Sequence, residues 1–137
     1  GILATVAIPK LTASRDDAEA AVCAQEVRQL IDEISSFYTA VDYKEFKNAT
    51  ISMMTNVTVA SNTTRGFQKD GKVHGTSRVY VCDGVEIVKF RGSFITSQTM
   101  YRLIVETLKG STPASEKAIE AIQKNILNGE NSKEFEL

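Results

Sequence analysis

Histidine, cysteine, proline and tryptophan are scarce in this sequence. Its 137 residues include one histidine, two cysteines, two prolines and no tryptophan. With so few soft ligands, and with neither a C-x-x-C nor an H-E-x-x-H motif, the sequence predicts no structural metal site. G-x-S-x-G, P-loop and G-x-G-x-x-G motifs are also missing, and any catalytic triad would depend on His74. We therefore expect no catalytic residue, no metal and no cofactor.

The sequence also lacks an excess of charge of either sign. Sixteen Lys and Arg residues face 17 Asp and Glu residues, for a formal net charge of -1. Proteins that bind nucleic acid through its phosphates carry a basic patch that releases counterions, so nucleic acid binding is not supported. A hydrophobic content of 42% and a charged content of 24% are ordinary for a globular protein. The length fits one domain, predicted to cover residues 1–137.

A long hydrophobic run is absent as well. The chain opens with an apolar stretch from Gly1 to Ile8, far below the roughly 20 residues that span a bilayer. The opening has no Met, no basic n-region and no small-residue cleavage site, so it does not look like a secretory signal. We expect Gly1 to lie within a longer natural chain.

A long amphipathic helix is the strongest structural feature of the sequence. From about Leu11 to Val41, apolar residues recur three and four positions apart, and no Gly or Pro interrupts residues 10–65. The side chains expected beneath the rest of the domain are Val27, Leu30, Ile31, Ile34 and Phe37. If the helix includes the apolar opening, it is about 60 Å long, and part of it must protrude from a small domain. Pro9 is expected to kink or open the helix between Thr5 and Pro9.

A β-hairpin is predicted after a polar region. The runs Arg78–Cys82 and Val85–Phe90 are rich in β-branched and aromatic residues, and Asp83-Gly84 between them favours a two-residue type I′ turn. The expected register pairs Cys82 with Val85 and Tyr80 with Ile87, and places Val79, Val81 and Val88 on the other face.

Weaker patterns complete the predicted fold. Residues 43–54 favour a short second helix, and residues 56–72 favour a surface loop. Ser97 is expected to cap a helix that runs to Leu108 and stops at Gly110. Thr112-Pro113 is expected to begin a last helix. The apolar stripe of that helix consists of Ala118, Ile119, Ile122 and Ile126. The polar residues 128–136 are interpreted as a frayed terminus. The predicted fold class is α+β, a long N-terminal amphipathic helix packed on a small antiparallel β-sheet, with additional C-terminal helices.

Residues 1–11, GILATVAIPKL, resemble the second half of the N-terminal segment of prepilin-type proteins, the family of type IV pilins and pseudopilins. The resemblance is carried by Gly1, Ala4, Ala7, Ile8 and Pro9, in that order, directly ahead of the long amphipathic helix. It implies a pilin-like subunit in which residues 1–10 are the remnant of a hydrophobic helix and residues 11–137 form a globular head with the rest of that helix. The family's cleavage site, methylated first residue and early glutamate would lie upstream of Gly1.

The resemblance implies a structural subunit of a bacterial type IV pilus or pilus-like filament. The residues expected to pack in the filament, and to contact the membrane before assembly, are Gly1, Ile2, Leu3, Val6, Ile8 and Pro9. The implied partners are identical or homologous pilin subunits and, through the missing N-terminal segment, the inner membrane. The implied location is the inner membrane and periplasm before assembly, and an extracellular or periplasmic filament afterwards.

Two other functions stay open. A pseudopilin of a type II secretion system uses the same N-terminal helix, so the sequence from Gly1 onward does not separate it from a pilin. Some secretion pseudopilins hold Ca²⁺ in a C-terminal loop, so the resemblance offers a Ca²⁺ loop as the alternative to a frayed terminus over residues 128–136, although these residues lack an alternating Asp pattern. The other alternative is a membrane-tethered periplasmic binding module, motivated by the predicted helical C-terminal region. A deep apolar pocket lined by the last two helices would favour the binding module.

Cys23 and Cys82 allow two interpretations. The resemblance places them in an oxidising compartment, which permits a disulfide bond. The alternative is two separate buried thiols, because the distance between the residues cannot be derived from the sequence.

Overall fold

The helical element α1 spans Ala7–Phe46, with a break at Asp42, and is the longest element that the structure describes. The computed structural model describes residues 7–95 and 99–137, with the side chains of α1 described from Arg15 onward. The periodicity argument is confirmed, because Val27, Leu30 and Ile34 are fully buried and Ile31 is nearly so. Phe37 is partly buried against the core, and the charged side chains Arg28 and Asp32 point to solvent.

The helix is interrupted at Asp42, one residue beyond its predicted end. Asp42 has φ 67° and ψ 174°, which is not helical, and a short turn then continues to Phe46. The predicted second helix over residues 43–54 is therefore divided between the end of α1 and a four-residue helix α2, Ile51–Met54. The prediction was wrong about a continuous helix because residues 47–50 form turns between the two pieces.

The sheet has five antiparallel strands in the order in which they occur along the chain. They are β1 (Gly66–Phe67), β2 (Arg78–Cys82), β3 (Val85–Ile95), β4 (Met100–Thr107) and β5 (Ser132–Glu136). The prediction of a surface loop over residues 56–72 therefore misses β1, whose Phe67 is fully buried. α+β is thus the observed class, with a long helix on an antiparallel sheet.

The β2–β3 hairpin has the predicted turn but not the whole predicted register. Positive φ values of 52° at Asp83 and 73° at Gly84 confirm a type I′ turn. Cys82 pairs with Val85 as expected, whereas Tyr80 pairs with Val88 and not with Ile87. The cause is a β-bulge, which inserts one extra residue and turns the following side chains to the opposite face. Val88 therefore lies on the core face, contrary to the prediction.

The helix predicted from Ser97 to Leu108 is wrong, since residues 100–107 form β4. Tyr101, Leu103 and Val105 are buried while Arg102 and Ile104 between them are partly exposed, which is the alternation of a strand. β4 pairs with β3 at eight successive positions, and this strand pairing outweighs the local cap signal. Ser97 itself lies outside the described residues.

The last helix, α3, spans Pro113–Asn125 and follows the predicted pattern. Thr112 is its N-cap, and its hydroxyl accepts a hydrogen bond from the Ser115 backbone N–H at 3.2 Å. Ala118, Ile119, Ile122 and Ile126 are buried as predicted. α3 packs along α1 and contacts β2 and β3, so the two long helices of the described chain cover the same face of the sheet.

The prediction of a frayed C-terminal segment is wrong. Residues Ser132–Glu136 form β5 at the edge of the sheet, where Phe135 pairs with Leu103 of β4. Phe135 and Leu137 pack against the core, which explains why this polar sequence is ordered. Among the residues described after the hairpin, 99–137, α3 is the one helix, where the sequence predicted two.

Candidate functional site

The residues predicted to pack in a filament lie mostly beyond what the structure describes. Residues 1–6 are outside the described range, which includes Gly1, Ile2, Leu3 and Val6. Ile8 and Pro9 lie within α1, but their side chains are not among those described. The predicted kink between Thr5 and Pro9 therefore stays a prediction.

Among the described side chains of α1, burial in the core begins at Ala20. Arg15, Asp17 and Ala18 are exposed, and an ion pair of 2.9 Å joins Asp17 to Lys117 of α3. From Asp17 onward, the described side chains of α1 therefore contact α3 and the core.

A disulfide bond joins α1 to the tip of the hairpin. Cys23 and Cys82 are bonded, both are fully buried, and their Cα atoms are 6.1 Å apart. The sequence left open a disulfide bond or two separate buried thiols, and the structure shows the disulfide bond. The Glu19 carboxylate lies within 4.8 Å of both sulfur atoms, but bonded sulfurs are not thiolates and cannot act as metal ligands in the usual way.

A polar network, which the sequence did not reveal, flanks this bond. The Tyr80 hydroxyl donates to Glu26 Oε1 at 2.6 Å, and Arg65 lies 3.2 Å from Glu19 Oε2 and 3.6 Å from Glu26 Oε1. Burial, assisted by the Glu26 carboxylate, raises the pKa of Tyr80 far above its ordinary value, so the hydroxyl stays a donor. A signal was present, because Glu19, Cys23 and Glu26 are spaced four and three apart on one helical face.

An aromatic cluster occupies the opposite end of the described core and contains the sole histidine. It consists of Tyr38, Tyr43, His74, Phe94 and Tyr101. Tyr101 stacks on Tyr38 with ring centroids 5.0 Å apart, and its hydroxyl lies 2.8 Å from His74 Nδ1. Burial, with smaller contributions from Tyr38 and Tyr43, raises the pKa of Tyr101. Tyr43 contacts His74 edge-on and Phe94 in a tilted arrangement, so these rings form a packed unit.

Several clefts lie on the described surface, and within residues 99–137 α3 has no second helix with which to line the pocket that the binding module would need. A cleft of about 440 Å³ lies where α3 meets the segment after β4, around Ile119 and Gly110. A second cleft of about 310 Å³ lies over Val79 and Val81, with Lys69 and Arg78 at its rim. A third, of about 370 Å³, runs between α1 and α3.

In comparisons with known proteins, no family model matches the chain, and neither a curated protein nor a solved structure matches it significantly. Within the described residues, none of the helices is both long enough and apolar enough to cross a bilayer. The functional argument therefore rests on the residues and their arrangement.

Proposed function

We propose that this chain is a structural subunit of a type IV pilus or pilus-like filament and that it assembles through its N-terminal helix. One feature carries the proposal: an apolar segment resembling the prepilin N-terminus leads directly into α1, which is helical from Ala7 to Val41, before the break at Asp42. The described side chains of that helix enter the core only from Ala20 onward. This arrangement is expected for a globular head attached to a helix whose first part contacts lipids or neighbouring subunits.

The energetics of the apolar segment support this function. Ile2, Leu3, Val6 and Ile8 would each gain about 1.5–3 kcal/mol on burial, so a segment that displays them needs partners. In the proposed life cycle those partners are lipids of the inner membrane first and helices of neighbouring subunits afterwards. The Cys23–Cys82 bond suits the oxidising compartment in which such a head would reside.

A secretion pseudopilin would use the same helix and is the alternative within the same family. The binding module was motivated by two C-terminal helices, and β4 takes the place of one of them. No observation on the described residues favours the binding module over the filament.

The experiment is Val6→Asp in the full natural chain, including whatever precedes Gly1. A carboxylate among packed helices is costly to bury, so we expect filament recovery to fall below detection while the subunit is still produced. Filaments are measured by shearing and electron microscopy. Thermal melting of a soluble version that carries the same change should show an unaltered head.

The matched control is Met53→Asp, which places the same charge on an apolar residue that is 63% exposed on α2. It should leave filament recovery unchanged. Normal filaments with Val6→Asp would reject the packing role of the segment, and a melted head would place Val6 in the core of the domain.

A further inference from the structure

Three side chains that can bind a metal ion meet between α1 and the tip of the β2–β3 hairpin. The carboxylate of Glu19 and the sulfur atoms of Cys23 and Cys82 all lie within 4.8 Å of one another. Glu19 and Cys23 are four positions apart on one side of α1, and Cys82 is the last residue of β2. Zn²⁺ takes carboxylate oxygens and cysteine sulfurs as ligands in proteins. We call these three residues the Glu19–Cys23–Cys82 cluster.

The two oxygen atoms of the Glu19 carboxylate have different neighbours. Oε1 lies 4.0 Å from Cys23 Sγ, whereas Oε2 forms an ion pair of 3.2 Å with Arg65. A carboxylate that binds a metal is in turn oriented by a hydrogen bond from a neighbouring group. Glu26, the other carboxylate beside Arg65, accepts a hydrogen bond from the Tyr80 hydroxyl at 2.6 Å. Glu19 therefore keeps one oxygen beside the sulfur atoms while a cation holds the other.

The charges at the Glu19–Cys23–Cys82 cluster favour a divalent cation once the cysteines are thiolates. Two thiolates and the Glu19 carboxylate carry three negative charges, and Zn²⁺ together with Arg65 carries three positive charges. Both cysteines are fully buried, so a pair of thiolates without a cation would be costly there. The Glu19 side chain is 30% exposed, which gives the ion a route from solvent and allows a water molecule at its fourth coordination position.

We propose that the Glu19–Cys23–Cys82 cluster binds one Zn²⁺ ion when the Cys23–Cys82 bond is reduced, so that the bond and the metal are alternative links between α1 and the hairpin. A thiol reductant supplies two electrons and two protons to the sulfur atoms and is itself oxidised to a disulfide. Zn²⁺ displaces both thiol protons to solvent and binds the two thiolates and Glu19 Oε1. The reverse exchange with a disulfide re-forms the bond and releases the ion. This inference does not depend on the filament function.

Zn²⁺ titrations of the reduced and the oxidised chain test the inference. Residues 1–137 are unfolded in urea with a phosphine reductant and refolded in its presence, because the folded protein buries both cysteines. Zn²⁺ is then added in competition with a chromophoric chelator. We expect one ion per reduced chain and none per oxidised chain. The melting temperature of the reduced chain should rise with Zn²⁺ and not with Mg²⁺, which prefers oxygen ligands.

Two carboxylate variants locate the site. Glu19→Gln removes the carboxylate ligand and keeps both cysteines, so we expect the affinity of the reduced chain for Zn²⁺ to fall by about tenfold or more. Glu120→Gln is the matched control, because it removes an exposed carboxylate of α3, and it should leave the affinity unchanged. Equal affinities of the native and Glu19→Gln chains, or equal binding by the oxidised chain, would overturn the inference.

Circular dichroism keeps the test decisive if the reduced chain does not fold without metal. Binding to a site that exists only in the folded state stabilises that state, so Zn²⁺ should then restore the helical signal of the native sequence. Glu19→Gln and Cys82→Ser should each stay unfolded at the same Zn²⁺ concentration. A reduced native chain that Zn²⁺ neither binds nor refolds would show that the three residues do not form a metal site.

Discussion

Asp42 is the residue whose backbone conformation is least expected from its identity. Its φ of 67° and ψ of 174° fall in a region that is populated almost only by glycine and that costs other residues about 1–3 kcal/mol. The side chain compensates in part, because Asp42 Oδ1 accepts a hydrogen bond from the Tyr43 backbone N–H at 2.8 Å. The break at Asp42 directs Tyr43 out of the helix line and against His74 and Phe94.

Substitutions at Asp42 should separate the strain from the hydrogen bond. Asp42→Gly removes both, while Asp42→Ala keeps the strain and loses the hydrogen bond. We expect the glycine variant to be more stable than the alanine variant by about 1–2 kcal/mol and close to the native protein. The measurement is the free energy of unfolding from urea titrations. Equal stability of the two variants would show that the backbone is not strained at this position.

Glycine at position 92 shows how a residue can matter through the atoms that it lacks. A Cβ atom on Gly92 would lie 2.3 Å from the Tyr101 hydroxyl oxygen, which is closer than any real contact. The missing side chain therefore makes room for the ring at the centre of the aromatic cluster. The sequence of β3 around Gly92 does not indicate which ring will lie over the glycine.

Among the elements, α1 and the β2–β3 hairpin are connected most directly by the Cys23–Cys82 bond. The two cysteines are separated by 59 positions, so the bond restricts a long loop of the unfolded chain. In the chain-entropy model such a loop contributes about 4 kcal/mol to stability. Both sulfurs are buried, so the bond also fills space between the helix and the sheet.

Replacing both cysteines by alanine should therefore lower the free energy of unfolding by about 4 kcal/mol, with a further loss from the small cavities that remain. Guanidinium titrations monitored by circular dichroism measure this difference. Native protein that has been unfolded and refolded with reductant serves as the control and should approach the same midpoint. An unchanged midpoint in the double variant would mean that the bond adds nothing to the attachment of α1.

The contrast between α3 and β4 shows which elements can be predicted locally. α3 begins with Thr112-Pro113, whose cap and fixed φ act within a few residues, and its apolar stripe follows the helical period. In β4, buried and more exposed side chains alternate as in a strand, whereas the sequence analysis predicts a helix from Ser97 to Leu108. The conformation of β4 depends on hydrogen bonds to β3 on one side and to β5 on the other. β5 lies about 30 positions further along the chain, outside any local sequence window.

At the scale of the whole molecule, the N-terminal segment and the head should be separable. The described core begins at Ala20, so a chain that starts at Arg15 keeps every described core residue and the disulfide. We expect its melting temperature to lie within about 4 °C of that of residues 1–137, because less than about 1 kcal/mol should be lost. Calorimetry measures this difference.

A chain that starts at Ala24 is the matched comparison for this truncation. It loses Ala20 and Cys23, and with them part of the core and the disulfide, so it should melt far lower. If the chain starting at Arg15 melted as low as this one, residues before Arg15 would belong to the folded head and the proposed separation would be wrong.

The sequence by itself determined the elements whose causes are local. The period of α1 from Leu11 to Val41, the Asp83-Gly84 turn and the Thr112 cap each depend on neighbours within a few positions. The resemblance of residues 1–11 to prepilin segments, which motivates the filament proposal, was likewise complete in the sequence.

Tertiary structure alone decided the features that depend on distant partners. The bulge that moves Val88 to the core face, the strand identity of β4 and the pairing of β5 each require a neighbouring strand that the local sequence does not specify. The Cys23–Cys82 bond and the Tyr80–Glu26 contact depend on where α1 lies over the sheet. Hydrogen-bond partners and buried contacts depend on residues that are distant in sequence. Periodicity therefore indicates which face of an element is buried, but not which residues that face contacts.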